Sequence, residues 1–157
     1  MTATVRPCGD CSMCCKILPI TKTEGTGDEA FPFDKPENEW CRHCAPGRGG
    51  CKVWNTELPN LCRSYQCLWK ISDMPEEWRP DKIRAIFSAY IRLDKFPEEL
   101  FFEIALAPDG KMHTDLATFL QRTDISYFLR YKGNGIAHGR TPDMHQAILE
   151  QFKGERG

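Results

Sequence analysis

The chain has 157 residues, 41% of them hydrophobic and 27% charged, and its 21 Lys and Arg against 22 Asp and Glu leave a net charge of -1. That length suits one ordinary domain with a core of its own, so size forces neither a structural metal nor a disulfide staple. The charge is balanced along the chain as well, and so even a field supplies no long-range attraction to nucleic acid or membrane, which argues against both as partners.

The first residues, MTATVRP, include Arg6 but lack the apolar run of a secretory leader. No stretch approaches the roughly 18 apolar residues of a membrane span. The expectation is a soluble, cytoplasmic protein. In a reducing compartment dense cysteines turn toward metal or redox chemistry, and a total of nine, being odd, weakens a closed disulfide framework further. All nine fall between Cys8 and Cys67. We therefore expect one domain over 1–157, with a cysteine-bearing metal-binding region over 1–70 and a cysteine-free α+β scaffold over 71–157.

In chain order, the first feature is CGDCSMCC, which places Cys8, Cys11, Cys14 and Cys15 within eight residues. The stretches TKTEGTGDEAFPFDKPEN at 21–38 and APGRGG at 45–50 read as loops. They bury little apolar surface, and thiolate coordination can supply the free energy that fixes them. Between them lies CRHC at 41–44, and Cys51 follows. Leu58, Leu61, Cys62, Tyr65 and Trp69 then predict one helical face, with Pro59 in the first turn. On an unbroken helix Cys62 and Cys67 would point about 140° apart, at ~100° per residue. Service to one metal requires that helix to end or bend between them.

After MPEEWRP the period changes to two. Ile83, Ala85, Phe87, Ala89 and Ile91 alternate with polar residues and predict a half-buried strand. Leu100, Phe102, Ile104 and Leu106 predict its antiparallel partner before the PDG turn at 108–110, although EELFFEIALA also fits a helix. Thr114 and Asp115 open a predicted helix through Leu116, Phe119 and Leu120, with a further helical stretch through Phe128 and Leu129. GNG at 133–135 reads as a turn. Thr141 with Pro142 opens the last helix, with Met144, Ala147, Ile148 and Phe152 on one face and Gly154 as its stop. The expected fold class is α+β, a cysteine-rich region of loops and a short helix packed on an antiparallel hairpin or small sheet with C-terminal helices.

In a C-x2-C loop two sulfurs converge on one centre while backbone N–H groups point at them, in zinc and iron–sulfur sites alike. Cys8, Cys11 and Cys14 repeat that spacing as the bacterial ferredoxin run does, without its x3-C-P ending. Adjacent cysteines project differently, so Cys15 can complete a second site or bridge two metals. Sulfur-rich tetrahedral sites suit zinc and iron alike. The density of CGDCSMCC tips the balance toward iron–sulfur, whereas C-x2-C pairs joined by long loops are ordinary for zinc. His43, inside CRHC, reads as a loop residue because cysteines already outnumber the donors needed. His113, His138 and His145 read as surface or helix residues. Trp40, Trp54 and Trp69 flank cysteines and serve either core packing or exclusion of water.

CGDCSMCC resembles the CxxCxxCC signature of the YkgJ-like cysteine-cluster proteins, a family described as zinc- or iron-chelating and often labelled Fe–S oxidoreductases without a known substrate. After Cys44, GCKVWNTELPNLCRSYQCLW from Gly50 to Trp69 resembles that family's second motif. The resemblance covers about residues 8–70. It implies metal ligation by Cys8, Cys11, Cys14, Cys15, Cys44, Cys51, Cys62 and Cys67, with Cys41 as the spare. Arg63 matches the arginine that follows a cysteine in the family, while Trp54 replaces a tyrosine and Leu58-Pro59 replaces Arg-Pro.

The functional expectation is a metal-binding protein holding an iron–sulfur cluster or zinc, with redox activity toward an electron-transfer or protein partner. The alternatives are a structural zinc module that binds a protein without catalysis, and a thiol redox protein whose CxxC pairs cycle. Nucleophilic cysteine catalysis needs an oriented histidine base, and only His43 is near the thiols in sequence.

Overall fold

The structure, a computed structural model, describes residues 6–7, 11–20, 22, 33–44, 62, 65–88, 91–108 and 112–153. Helix α1 spans Met13–Ile17, α2 Leu68–Ile71 and α3 Pro80–Ile83, with a 3-10 turn over Glu76–Trp78 between the last two. Strands β1 (Ala85–Phe87), β2 (Ile91–Leu93) and β3 (Phe96–Leu106) follow, then α4 (Thr114–Leu120), β4 (Tyr127–Tyr131), β5 (Asn134–His138) and α5 (Pro142–Gln151). The fold is α+β.

The alternating run from Phe96 to Leu106 forms the central strand. β1 and β2 both pair antiparallel with it, Phe87 opposite Ile104 and Ile91 opposite Phe101. The pairing of β2 with β3 shifts register between Arg92 and Leu93, which stands opposite Phe96. On the other edge β4 runs parallel to β3, with Ile104 opposite Leu129. β5 returns antiparallel through Lys132 and Gly133, both at positive φ (49° and 76°). Such a two-residue turn matches the twist of the strands it joins.

Alternation along the strands assigns the two faces. Ala85, Phe87, Ile104, Leu106, Tyr127 and Leu129 form one core with Leu68, Ile83, Leu116 and Ile125. On the opposite face Ile86 and Ala105 meet Met13 and Ile17 of α1. Beside them Phe101 and Phe128 meet Met144, Ala147, Ile148 and Phe152 at α5, with the Phe128 and Phe152 rings stacked 4.1 Å apart. The cysteine-bearing helix and the last helix therefore share one face of the sheet.

Several expectations are corrected. Ile83 belongs to α3, because Pro80 favours a first helical turn and Arg84, at φ 64°, caps it by donating its N–H to the Pro80 carbonyl at 3.0 Å. The strand expected from Ile83 onward starts only at Ala85, and Ala89 lies outside the described residues. Phe128 and Leu129 lie in β4, not in a helix: Phe128 faces α5 while Tyr127 and Leu129 face the other core, so burial on both sides erases the period-2 signal. The small sheet expected is present, with β1 and β2 antiparallel to β3 and β4 parallel to it. The turn expected at GNG is centred on Lys132 and Gly133, with Asn134 and Gly135 already in β5. No helix among the described residues is long and apolar enough to cross a membrane.

Candidate metal centre

The MCCKI sequence of α1 puts Met13 and Ile17 one turn apart, and both are buried against the sheet. That leaves Cys14 and Cys15 on the flanks of the helix, half-buried. The chain then returns across α1. Ile20 and Lys35 exchange backbone hydrogen bonds of 2.9 and 2.8 Å, and the Asn38 N–H donates to the Ile17 carbonyl at 3.2 Å. The Cys41 N–H donates to the Cys15 carbonyl at 2.9 Å, and the Cys44 N–H to the Cys41 carbonyl at 2.9 Å. The CRHC turn is thus hung on the cysteine pair of α1.

The second approach is from α2. Cys67 caps that helix, and the Lys70 N–H donates to its carbonyl at 3.0 Å. Arg6 is bound to the same segment, through its N–H to the Lys70 carbonyl at 3.0 Å and its guanidinium to the Ser72 carbonyl at 2.7 Å. That guanidinium lies 4.9 Å from the centre of the buried Trp69 ring. The chain just before Cys8 is thereby fastened to the chain just after Cys67. Residues 65–67 are not helical, so the helical conformation at Cys62 and α2 are separate, and the predicted face from Leu58 to Trp69 is broken. Cys8, Cys51, Trp54, Leu58, Arg63 and the GRGG stretch lie outside the described residues.

Cys11, Cys14 and Cys67 pack with Tyr65 at the edge of the core that holds Met13 and Ile17. Cys14, Cys44 and Cys41 all act electrostatically on Cys15. Burial pushes the Cys11 thiol up to about 11, against backbone N–H groups of Met13 and Asp81 that favour its thiolate. The neighbouring Cys15 side chain lowers Cys14 to about 7, and the Cys14 side chain together with burial raises Cys15. Asp81, close to Cys11, is occupied by a two-bond ion pair with Arg79 at 2.6 and 2.7 Å.

Beside this group lies Lys35, only 3% exposed, whose ammonium donates to the carbonyls of Lys16, Leu18 and Pro36. Burial lowers its pKa, and Cys41, Cys15 and Cys14 oppose that shift. Tyr65 Oη is buried without a hydrogen-bond partner, with Ser88 close by but outside bonding geometry. Nothing in the sequence singles out either residue, because a lysine in a polar, Pro-containing stretch looks solvated until the chain closes over it. His43 packs against Phe33, their ring centres 5.5 Å apart.

Among the described residues no three Cys, His, Asp or Glu side chains converge closely enough to hold an ion as they stand. The donor chemistry nevertheless fits a thiophilic metal. The described residues include seven cysteines, sulfur donors of this kind suit zinc or iron, and the buried Tyr65 hydroxyl can donate to a metal-bound sulfur. Comparison of the chain with family models, with curated proteins and with solved structures found no match.

Proposed function

We propose that this chain is a cytoplasmic metal-binding protein in which Cys8, Cys11, Cys14, Cys15, Cys44, Cys51, Cys62 and Cys67 are thiolate ligands to an iron–sulfur cluster or to zinc. Cys41 remains the spare in that set, its N–H bonded to the Cys15 carbonyl. The observation that carries the reading is the gathering of Cys14, Cys15, Cys41 and Cys44 on α1 and its return loop. Soft donors from two separate motifs lie near one another there, a donor chemistry that suits a thiophilic metal.

A bound iron–sulfur cluster supplies single-electron transfer, and its potential is set by N–H to sulfur bonds and burial. The chain contributes such donors: backbone N–H groups favour the thiolates of Cys11 and Cys14. Oxidoreductase activity toward an electron-transfer partner, and kinship with the YkgJ-like proteins, rest on the order of the cysteines. A structural zinc module that presents a surface to a protein partner is the second reading, favoured by the backbone bridges that already close the return loop on α1.

Anaerobic purification followed by iron, zinc and acid-labile sulfide analysis and a visible spectrum tests both. Iron and sulfide in similar amounts with visible absorption is the expected result. Colourless protein loaded with zinc supports the structural module, and protein that binds neither metal overturns the proposal. Cys15→Ser is expected to remove at least about half of the bound metal.

A further inference from the structure

Among the described residues the sheet ends at β1 on one side and at β5 on the other. A free strand edge presents unpaired N–H and C=O groups, and folded proteins protect it by shortness, charge, proline or a bulge. β1 is three residues long, and β2, on the same side of β3, shifts register. β5 has none of these protections. Its five residues pair with β4 in unbroken register, from Tyr131 opposite Asn134 to Tyr127 opposite His138. GNGIAHG at 133–139 contains no Asp, Glu, Lys, Arg or Pro. At its centre Ile136 is 53% exposed, and with Met112 it makes up the exposed large hydrophobic residues among those described.

The two-residue turn at Lys132 and Gly133 makes Tyr131 and Asn134 a hydrogen-bonded pair, and alternation makes Leu129 with Ile136 and Tyr127 with His138 the next ones. The N–H and C=O groups of Gly135 and Ala137 therefore point away from β4. We infer that β5 is the interface of a homodimer, in which this edge pairs antiparallel with itself and the two sheets continue as one. With the two-fold axis at Ile136, Gly135 stands opposite Ala137 of the second copy and Ala137 opposite its Gly135, each pair exchanging both its hydrogen bonds. The two Ile136 side chains then meet in the closely spaced position between those pairs, where apolar cross-strand contact contributes most. Charge is compatible with this register. The paired segment is neutral, and at its ends Lys132 of one copy meets the Arg140–Glu99 ion pair of the other, so that two lone cations do not face each other. A strand from another protein fits the same backbone groups, but a second copy brings both an equally neutral segment and an apolar residue at the required place. One strand edge is a small interface, so the dimer forms as concentration rises.

Sedimentation equilibrium of the reduced full chain over a wide range of concentration, with amide exchange measured at both ends of that range, tests the inference. The expected result is a reversible monomer–dimer equilibrium in which the Gly135 and Ala137 amides gain protection as the dimer forms. Ile136→Lys sets like charges at the two-fold axis and is expected to weaken association roughly tenfold or more. Ala137→Pro removes an outward N–H and leaves the ladder to β4 intact, so it is expected to weaken association as well. Circular dichroism reports the fold of both. If Ala137→Pro does not fold, Ile136→Lys decides, because its side chain lies at the surface. A chain that stays monomeric throughout overturns the inference and leaves the edge to a strand from another protein. A dimer that Ile136→Lys forms as readily as the wild type overturns it too. So does protection of Gly135 and Ala137 in the monomer, since the edge is then covered within one chain. The metal reading stands or falls separately, on the elemental analysis.

Discussion

β3 is paired on both edges and covered on both faces, by the core around Ile104 on one side and by α1 and α5 on the other. The cysteine segments at 11–20 and 33–44 reach the sheet mainly through Met13 and Ile17, and are otherwise closed by backbone hydrogen bonds and a buried ammonium. The first region is stabilised by apolar area removed from water, which is non-directional and distributed. The second spends a buried charge and several half-buried thiols on one place. Contacts of that kind cost free energy until something pairs with them, so the two regions answer to different perturbations.

The largest effect we expect is from metal removal. A chelator added to the loaded protein should abolish amide exchange protection over 11–20 and 33–44 and leave β3 and β4 protected, because ligand binding there is also folding free energy. Equal loss in both regions would mean that the sheet depends on the metal and that the contrast is wrong. Ile104→Ala tests the other side. Ile104 is fully buried, and the variant should lose about 2–5 kcal/mol in denaturant unfolding, with the metal per folded chain unchanged.

Gly139→Ala comes next. An added Cβ at this position would stand 2.1 Å from the backbone nitrogen of His145 and 2.6 Å from its Cα. Backbone in a helix cannot retreat as a flexible side chain can, so β5 and α5 must separate, at about 1–3 kcal/mol as for other overpacked sites. Thermal unfolding checks the value. A neutral result would show that the junction between sheet and last helix yields more readily than its packing suggests.

The same contrast explains what could be read from the sequence. The strand from Phe96 to Leu106 was legible where its outer residues alternate, and α5 was legible from Thr141, Pro142 and the spacing of Met144, Ala147 and Ile148. β4 was not, because it is covered on both faces and Arg130 is the single charged residue in YFLRY, too little to reveal its period. Its parallel pairing with β3 is set by the crossover through α4, a non-local choice with no local code. In the cysteine region the motifs name the candidate donors but not their grouping. Which sulfurs neighbour one another depends on which face of α1 meets Ile86 and Ala105. Lys35 depends on it too, since its burial exists only after the return loop has crossed the helix.

The smallest effect tests whether the two occupants of the shared sheet face are independent. The Thr141 hydroxyl accepts the Met144 N–H at 3.2 Å at the start of α5. Thr141→Ala should cost about 1 kcal/mol through loss of that cap, visible as a small drop in unfolding midpoint, and Thr141→Ser should restore it. Met144 and Ile148 remain buried against Phe101 and Phe128, so the helix should stay docked. If α1 and α5 rest on the sheet independently, zinc affinity will be the same in the wild type and in Thr141→Ala. A fall in affinity that tracks the loss of stability would instead mean that loosening α5 reaches α1 through the neighbouring Phe101, Glu103 and Ala105 of β3, making the sheet the carrier of strain between the scaffold and the cysteines.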